Sequence, residues 1–362
     1  WLEDQDMIYD GGIFRDVYLT STPAVHIQDY DLRTDLNDNY TEAQVNIKLQ
    51  TQNDSVNGRQ NMAAKAVLYD ENGSEAASGQ VQLGEIKAGE SNNSEISFSV
   101  SKPALWDADH PNLYSLVVSL YDAQGKLHYE SVSQNIGFRK LHFTSTKVTS
   151  DGKYNNATEH YDTVTLNGKR LLIKGINRHD TDVETGKYVS PEVYREDVRL
   201  MKQNNLNTVR NSHYPTHPYW YHLCDLYGLY IIDEANIESH GMGYGAASLA
   251  KDSTWLPAHM DRVQRMYERS KNHPAIIIWS LGNEAGNGIN FERTYDWMKS
   301  VEQSRPVQYE RAEQQYNTDI YCRMYRSVDE LLAYAHQTSP KVYRPFIMTE
   351  YLHTMGNSGG GL

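Results

Sequence analysis

The chain has 362 residues, enough for two or three domains and a large core. Its 47 acidic against 34 basic residues leave a formal net charge of −13, which argues against nucleic acid and against anionic membrane surfaces as main partners. Cys224 and Cys322 cannot build a disulfide framework, and no run is apolar enough for a membrane span or a signal peptide. So few cysteines fit the cytoplasm and exclude no other compartment.

Residues 1–23 hold an Asp10-Gly11-Gly12 turn and a strand pattern over Ile13 to Leu19. This is too short for a domain and reads as the tail of one. With a start at Trp1 and a stop at Leu362 just beyond a strand-like segment, the expectation is a piece of something longer.

Over 24–141 the pattern is all-β. Glu42 to Leu49 alternates polar and apolar, as a half-buried strand should. Ala64 to Tyr69 runs into the turn Asp70-Glu71-Asn72-Gly73, and further strands are predicted at Glu95–Val100, Leu113–Tyr121 and Lys126–Val132. Short strands at this spacing suggest an immunoglobulin-like β-sandwich. It carries no catalytic cluster, so its expected role is scaffold or spacer.

From 142 to 362 the period changes. Leu171 to Asn177 is a buried-type strand, and Ser190-Pro191 supplies an N-cap and a first-turn proline. Tyr194, Val198 and Met201 then form one apolar helix face. Strands follow at Asn207–Arg210, Tyr230–Asp233, 275–280, Val307–Glu310, Asp319–Tyr325 and 346–350. Helices lie between at Tyr219–Leu226, Leu256–Asn272 (with Leu256, Met260, Val263 and Tyr267 inward), Phe291–Val301 and Val328–Gln337. Seven strands alternating with helices predict a (β/α)₈ TIM barrel that lacks its last strand.

In such a barrel the active site is built at the C-terminal ends of the strands. The polar residues delivered there are Asn177-Arg178-His179, Arg210 to His213, Asp233 to His240, Asn283-Glu284, Tyr325 and Glu350 to His353. Glu284 and Glu350 each directly follow an apolar strand, 66 positions apart. Glycosidic hydrolysis needs two such carboxylates, about 5–5.5 Å apart when configuration is retained. One must keep its proton near neutral pH and the other must be ionised. Taken singly, His179 and His213 read as core or surface histidines, Tyr325 is one of 27 tyrosines, and Glu238-x-His240 is a weak metal motif. The cluster carries more than its parts.

At these residues the chain resembles the lacZ-type β-galactosidases of glycoside hydrolase family 2. The resemblance lies in Glu3-Asp4-Gln5-Asp6-Met7, Gly12 to Val17, Gly175 to His179, Met201 to Asn205, Ser212-His213-Tyr214-Pro215, Asp233 to Met242, Trp279 to Gly286 and Glu350 to Ser358. It implies retaining hydrolysis of terminal β-D-galactose from β-galactosides such as lactose, with galactosyl transfer to sugar acceptors alongside. It also implies Glu284 as acid/base and Glu350 as the nucleophile that forms a galactosyl-enzyme. By the same resemblance Asn283 binds the 2-hydroxyl, while His179, His213 and His353 hold the sugar. Arg210 and Tyr325 support the nucleophile. Glu238, His240 and Glu284 match Mg²⁺ ligands, and Asp6 matches an aspartate on the galactose 6-hydroxyl and a Na⁺ ion. A homo-oligomer is implied for the full-length form.

The resemblance is imperfect at Ile8 to Gly11, and at Arg323 where well-known relatives have proline. A β-glucuronidase on the same architecture is the rival of the same class. A non-catalytic sugar-binding or structural fragment is the rival of another.

Overall fold

The computed structural model describes residues 2–5, 12–122, 124–126, 128–143, 164–337 and 344–353. The first unit is a sandwich of seven antiparallel strands: β1 (Val25–Leu36), β2 (Glu42–Asn53), β3 (Arg59–Tyr69), β4 (Glu75–Ile86), β5 (Ser91–Ser101), β6 (Tyr114–Asp122) and β7 (His128–Ile136). One sheet runs β1-β2-β5 and the other β4-β3-β6-β7. Alternation in β2 buries Val45, Ile47 and Leu49 on one face, where they meet Ala64, Ala66 and Leu68 of β3 within a single core cluster. The turn after β3 forms because the Asp70 carboxylate accepts from Asn72 N and Ser74 N, both at 2.9 Å.

Three two-residue strands, β8 (Leu141–His142), β9 (Thr165–Leu166) and β10 (Lys169–Arg170), form a small sheet at the entrance to the second unit. Beyond it, strand and helix alternate: β11 (Gly175–Arg178), α1 (Pro191–Gln203), β12 (Thr208–Asn211), α2 (Pro218–Tyr227), β13 (Tyr230–Glu234), α3 (Leu256–Ser270), β14 (Ile276–Ser280), α4 (Ile289–Val301), β15 (Val307–Gln308), β16 (Tyr321–Met324), α5 (Val328–Ala335) and β17 (Phe346–Glu350). Strands β11 to β15 form one parallel sheet and β16 pairs with β17 in parallel; a parallel bridge, Gln308 with Ile320, joins the two groups. Every residue of β12, β13 and β14 is buried, because helices cover one face and the barrel interior the other. Seven barrel strands are thus present among the described residues.

The helix ends follow the expected chemistry. Ser190 caps α1 by accepting from Val193 N, and Tyr194, Val198 and Met201 are its buried face. Gly228 ends α2 in the left-handed region at φ 71°, and a Cβ there would meet Ala108 O at 2.6 Å.

Several expectations change. Ile13 to Leu19 is not a strand: the segment is irregular and mostly exposed, with Leu19 and Val17 in solvent. It pairs with no sheet edge among the described residues, so its backbone gains no ladder. In α3 the buried face is His259, Val263, Met266, Tyr267 and Ser270, while Leu256 and Met260 are only half-buried. Tyr267 meets Trp279 at a tilt and Trp297 edge-on, and Met266 and Ser270 are buried beside it, which turns Leu256 and Met260 part-way out. The first barrel strand starts at Gly175, not Leu171, because the Asn207 side chain binds Lys174 N and Leu172 O in place of a ladder. Val307–Glu310 is a strand only to Gln308, since Glu310–Ala312 coils into a 3₁₀ turn. The predicted Asp319–Tyr325 strand covers only Tyr321–Met324.

The sandwich docks at the N-terminal ends of the barrel strands, opposite the edge where the candidate residues lie. Trp106 is fully buried and donates to Asp225 O at 2.9 Å, and Tyr230 OH accepts from Ala108 N at 3.0 Å. Arg33 of β1 reaches Glu302 at 3.2 Å and Lys271 reaches Asp29 at 2.6 Å. Burial alone would raise the Glu302 carboxyl, but Arg305 and Arg33 hold it down at about 2 against an ordinary 4.5. A depressed acid stabilises the fold above its unfolded pKa and loses that contribution as pH falls from 4.5 towards 2. The shift is worth roughly 3 kcal/mol. The deficit of Glu302→Gln relative to wild type should therefore shrink as pH falls through this window. Urea unfolding at several pH values reads it, and a pH-independent deficit would refute the linkage.

Candidate active site

Glu284 and Glu350 line one cavity of about 780 Å³ that runs beside β11 and β17 from their N-terminal ends, at Leu171 and Pro345, to their C-terminal ends, at His179 and His353. His179, Arg210, His213, Glu238, Asn283, Tyr325 and His353 line it too. Sequence reasoning placed these residues at strand ends, and the barrel brings them to one opening. Asp6 lies outside the described residues, so the expectation of a Na⁺ contact there stays an expectation.

Glu350 ends β17. Its Oε1 accepts from Arg210 Nη1 at 3.1 Å, its Oε2 accepts from Tyr325 OH, and His213 Nε2 is 4.0 Å from Oε1. Burial pushes the carboxyl up, but Arg210, the Tyr325 hydrogen bond and His213 outweigh it, and Glu350 sits below the ordinary carboxylate value. Burial and the same carboxylate push the Tyr325 phenol up, so it stays a donor. His353 Nδ1 lies 3.0 Å from the same hydroxyl.

Glu284 follows Gly282-Asn283 just past β14. Gly282 has φ 150°, and a Cβ there would meet Ile237 O at 2.6 Å, so only glycine permits this exit from the strand. Asn283 is buried; it accepts from Arg210 Nη2 at 2.8 Å and donates to Glu238 Oε2 at 3.0 Å. Glu284 Oε1 accepts from Tyr244 OH and from Arg311 Nη2, each at 3.0 Å, and Oε2 is 3.3 Å from His240 Nδ1. The Arg311 guanidinium lies 3.7 Å over the Tyr244 ring. His179 packs edge-on against His213 with centroids 5.1 Å apart. Burial, with His213 and Arg210 adding to it, lowers its imidazole to about 4, so His179 is neutral at physiological pH.

Glu238, His240 and Glu284 offer ligand atoms that lie within 4.8 Å of one another. Glu238 is 1% exposed. Burial pushes its carboxyl up to about 8, opposed by the Asn283 hydrogen bond and reinforced by the charges of Glu284 and Glu234. Two carboxylates gathered in a low-dielectric site, one held by so little, fit a hard divalent cation that would neutralise them.

Three neighbours were not singled out from sequence. Glu234 stands within the Asp233 to His240 stretch read as reaching the C-terminal edge, but no role was attached to it there. Arg311 follows β15. Tyr244 gave no signal, because it comes from the long excursion between β13 and α3.

The description "Glycosyl hydrolases family 2, TIM barrel domain" matches residues 158–362, and "Glycosyl hydrolases family 2" matches residues 25–139. The chain belongs to glycosyl hydrolase family 2. Similar solved structures include a β-glucuronidase of Bacteroides uniformis at TM-score 0.79 and 22% identity, covering 96% of this chain and 43% of that one. A putative β-galactosidase from Bacteroides fragilis gives TM-score 0.75 and 20% identity, with 91% and 48% covered. A β-glycosidase from Bacteroides vulgatus gives TM-score 0.67 and 25% identity, with 86% and 37% covered. The chain thus spans less than half the length of each of these relatives. No helix among the described residues is long and apolar enough to cross a membrane.

Proposed function

We propose that this family 2 chain carries the site for retaining hydrolysis of terminal non-reducing β-D-galactose from β-galactosides such as lactose. The observation that carries the chemistry is that Glu284 and Glu350 line one cavity, each held by an arginine and a tyrosine. The Glu350 carboxylate attacks the anomeric carbon as the glycosidic C–O bond breaks. Glu284 passes its proton to the departing oxygen. Water then attacks the galactosyl-enzyme, Glu284 takes its proton, and Glu350 leaves. A sugar hydroxyl in place of that water gives transgalactosylation.

The other groups take supporting roles. Arg210 and Tyr325 hold Glu350 ionised and aimed. Asn283 is held from both sides and would meet the 2-hydroxyl. His179, His213 and His353 would hold the remaining hydroxyls.

Galactose is favoured over a uronic acid by charge. Among the described lining residues the cations are Arg210 and Arg170. Arg210 is already claimed by Glu234 and Glu350, and Arg170 is an exposed residue of β10, ahead of the N-terminal end of β11. Glu350 is held ionised in the same space, so a sugar carboxylate would meet repulsion there with Arg210 already taken. The test compares an aryl β-galactoside with an aryl β-glucuronide on the full chain. Preference for the galactoside supports the reading; preference for the glucuronide replaces it with the rival.

Glu238, His240 and Glu284 would hold Mg²⁺, whose charge would tune the proton affinity of the acid/base. Mg²⁺ at about 100 times its Kd should stabilise the protein by about 2.7 kcal/mol, read as a higher Tm than in chelator. Glu238→Gln should remove most of that gain. An equal Mg²⁺ effect in the variant would move the ion elsewhere.

A further inference from the structure

We infer that Glu234, at the C-terminal end of β13, is the positioning residue of this site, fixing the orientations in which Arg210 and His213 face Glu350. The inference rests on the reading of Glu350 as nucleophile and on nothing about the identity of the sugar. Glu234 does not itself line the cavity, and its side chain is fully buried.

Each of its oxygens takes two donors. Oε1 accepts from His213 Nδ1 at 2.7 Å and from Arg210 Nη2 at 3.1 Å. Oε2 accepts from Arg210 Nε at 2.8 Å and from Ser280 Oγ at 2.5 Å. All four lone-pair sites of the carboxylate are thereby used.

The consequences follow from donor arithmetic. The two-pronged grip on Nε and Nη2 fixes the plane of the guanidinium. Nη1 is then left for Glu350 Oε1 at 3.1 Å, and the second Nη2 hydrogen for Asn283 at 2.8 Å. An ionised carboxylate only accepts, so His213 must carry its proton on Nδ1. That leaves Nε2 facing the cavity, 4.0 Å from Glu350, and in the neutral ring Nε2 is an acceptor. A sugar hydroxyl there meets an acceptor. The burial that would penalise the Glu234 charge is outweighed by Arg210 and His213, which hold its carboxyl at about 2.

Glutamine has the same shape but offers one acceptor oxygen and an NH₂ group. In Glu234→Gln that NH₂ confronts the guanidinium in either orientation, and in the orientation that puts it at the Oε1 position it confronts the imidazole as well, so the anchor of Arg210 is lost in part and that of His213 with it. The full chain carrying Glu234→Gln should lose about 100-fold in kcat, with KM little changed and fold retained by circular dichroism. In protein labelled with ¹⁵N-histidine, His213 should be the Nδ1–H tautomer in wild type and shift towards Nε2–H in the variant. The His213 signal is assigned by its absence in His213→Gln.

An Nε2–H tautomer in wild type would overturn the proposal, and so would unchanged turnover in a folded variant. A loss of active sites with normal turnover per site would overturn it too, because that is a purely structural effect. If wild type cleaves the aryl glucuronide and not the galactoside, the substrate reading falls and the kcat comparison runs on the glucuronide. If it cleaves neither, the tautomer pair decides alone.

Discussion

Glu350→Gln should abolish turnover of an aryl β-galactoside, lowering kcat/KM by at least about 10⁴-fold, because an amide cannot form the covalent intermediate. The fold should survive. Arg210 keeps Glu234 as its main partner, with Nε and Nη2 contacts of 2.8 and 3.1 Å that the substitution leaves alone. Tyr325 can still donate to the amide oxygen. Two measurements separate chemistry from folding: Tm by circular dichroism, and mass spectrometry of the protein trapped with a slow fluorinated galactoside. Wild type should gain one galactosyl adduct on Glu350 and the variant none. A variant within tenfold of wild type would move the nucleophile to another carboxylate.

Arg210→Met should damage both fold and activity. The side chain is 3% exposed and bridges Glu234, Glu350 and Asn283. Methionine fills similar volume but strands the Glu234 carboxylate in the interior with only His213 and Ser280 as donors. Breaking a buried pair from one side costs roughly 3–5 kcal/mol, readable in urea unfolding. The pH profile gives an independent check. Burial raises Glu350 and Arg210 is the first of the groups that lower it. Without that charge, burial wins and the carboxyl rises, so the acidic limb of kcat/KM moves to higher pH. A loss under 1 kcal/mol with an unmoved limb would mean Arg210 is not coupled to either carboxylate.

The elements that were legible are those where one local rule acts alone. Strands β13 and β14 read as apolar runs because both faces are buried, and α1 read from its cap and its apolar face. Ile13 to Leu19 looked equally strand-like, yet it forms no strand, because pairing needs a neighbour that pattern cannot supply. The rotation of α3 was hidden for a similar reason: which face is buried depends on Trp279 and Trp297, contributed by other elements. Residues 171–174 lost their ladder to one Asn207 side chain, a contact across 33 to 35 positions.

For the site, the amino-acid order by itself determined which side chains reach the C-terminal edge. A carboxylate directly after a buried run can only emerge there, so Glu284 and Glu350 were identifiable, as were the histidines and Arg210. Tertiary structure alone decided how the charges are shared. Whether Arg210 serves Glu234 or Glu350, and that Tyr244 and Arg311 hold Glu284, depends on where separate loops meet. The alternation of side chains along a strand is a local property with a period of two residues, but the charge state of a carboxylate depends on every group within a few ångströms, from whatever part of the chain it comes.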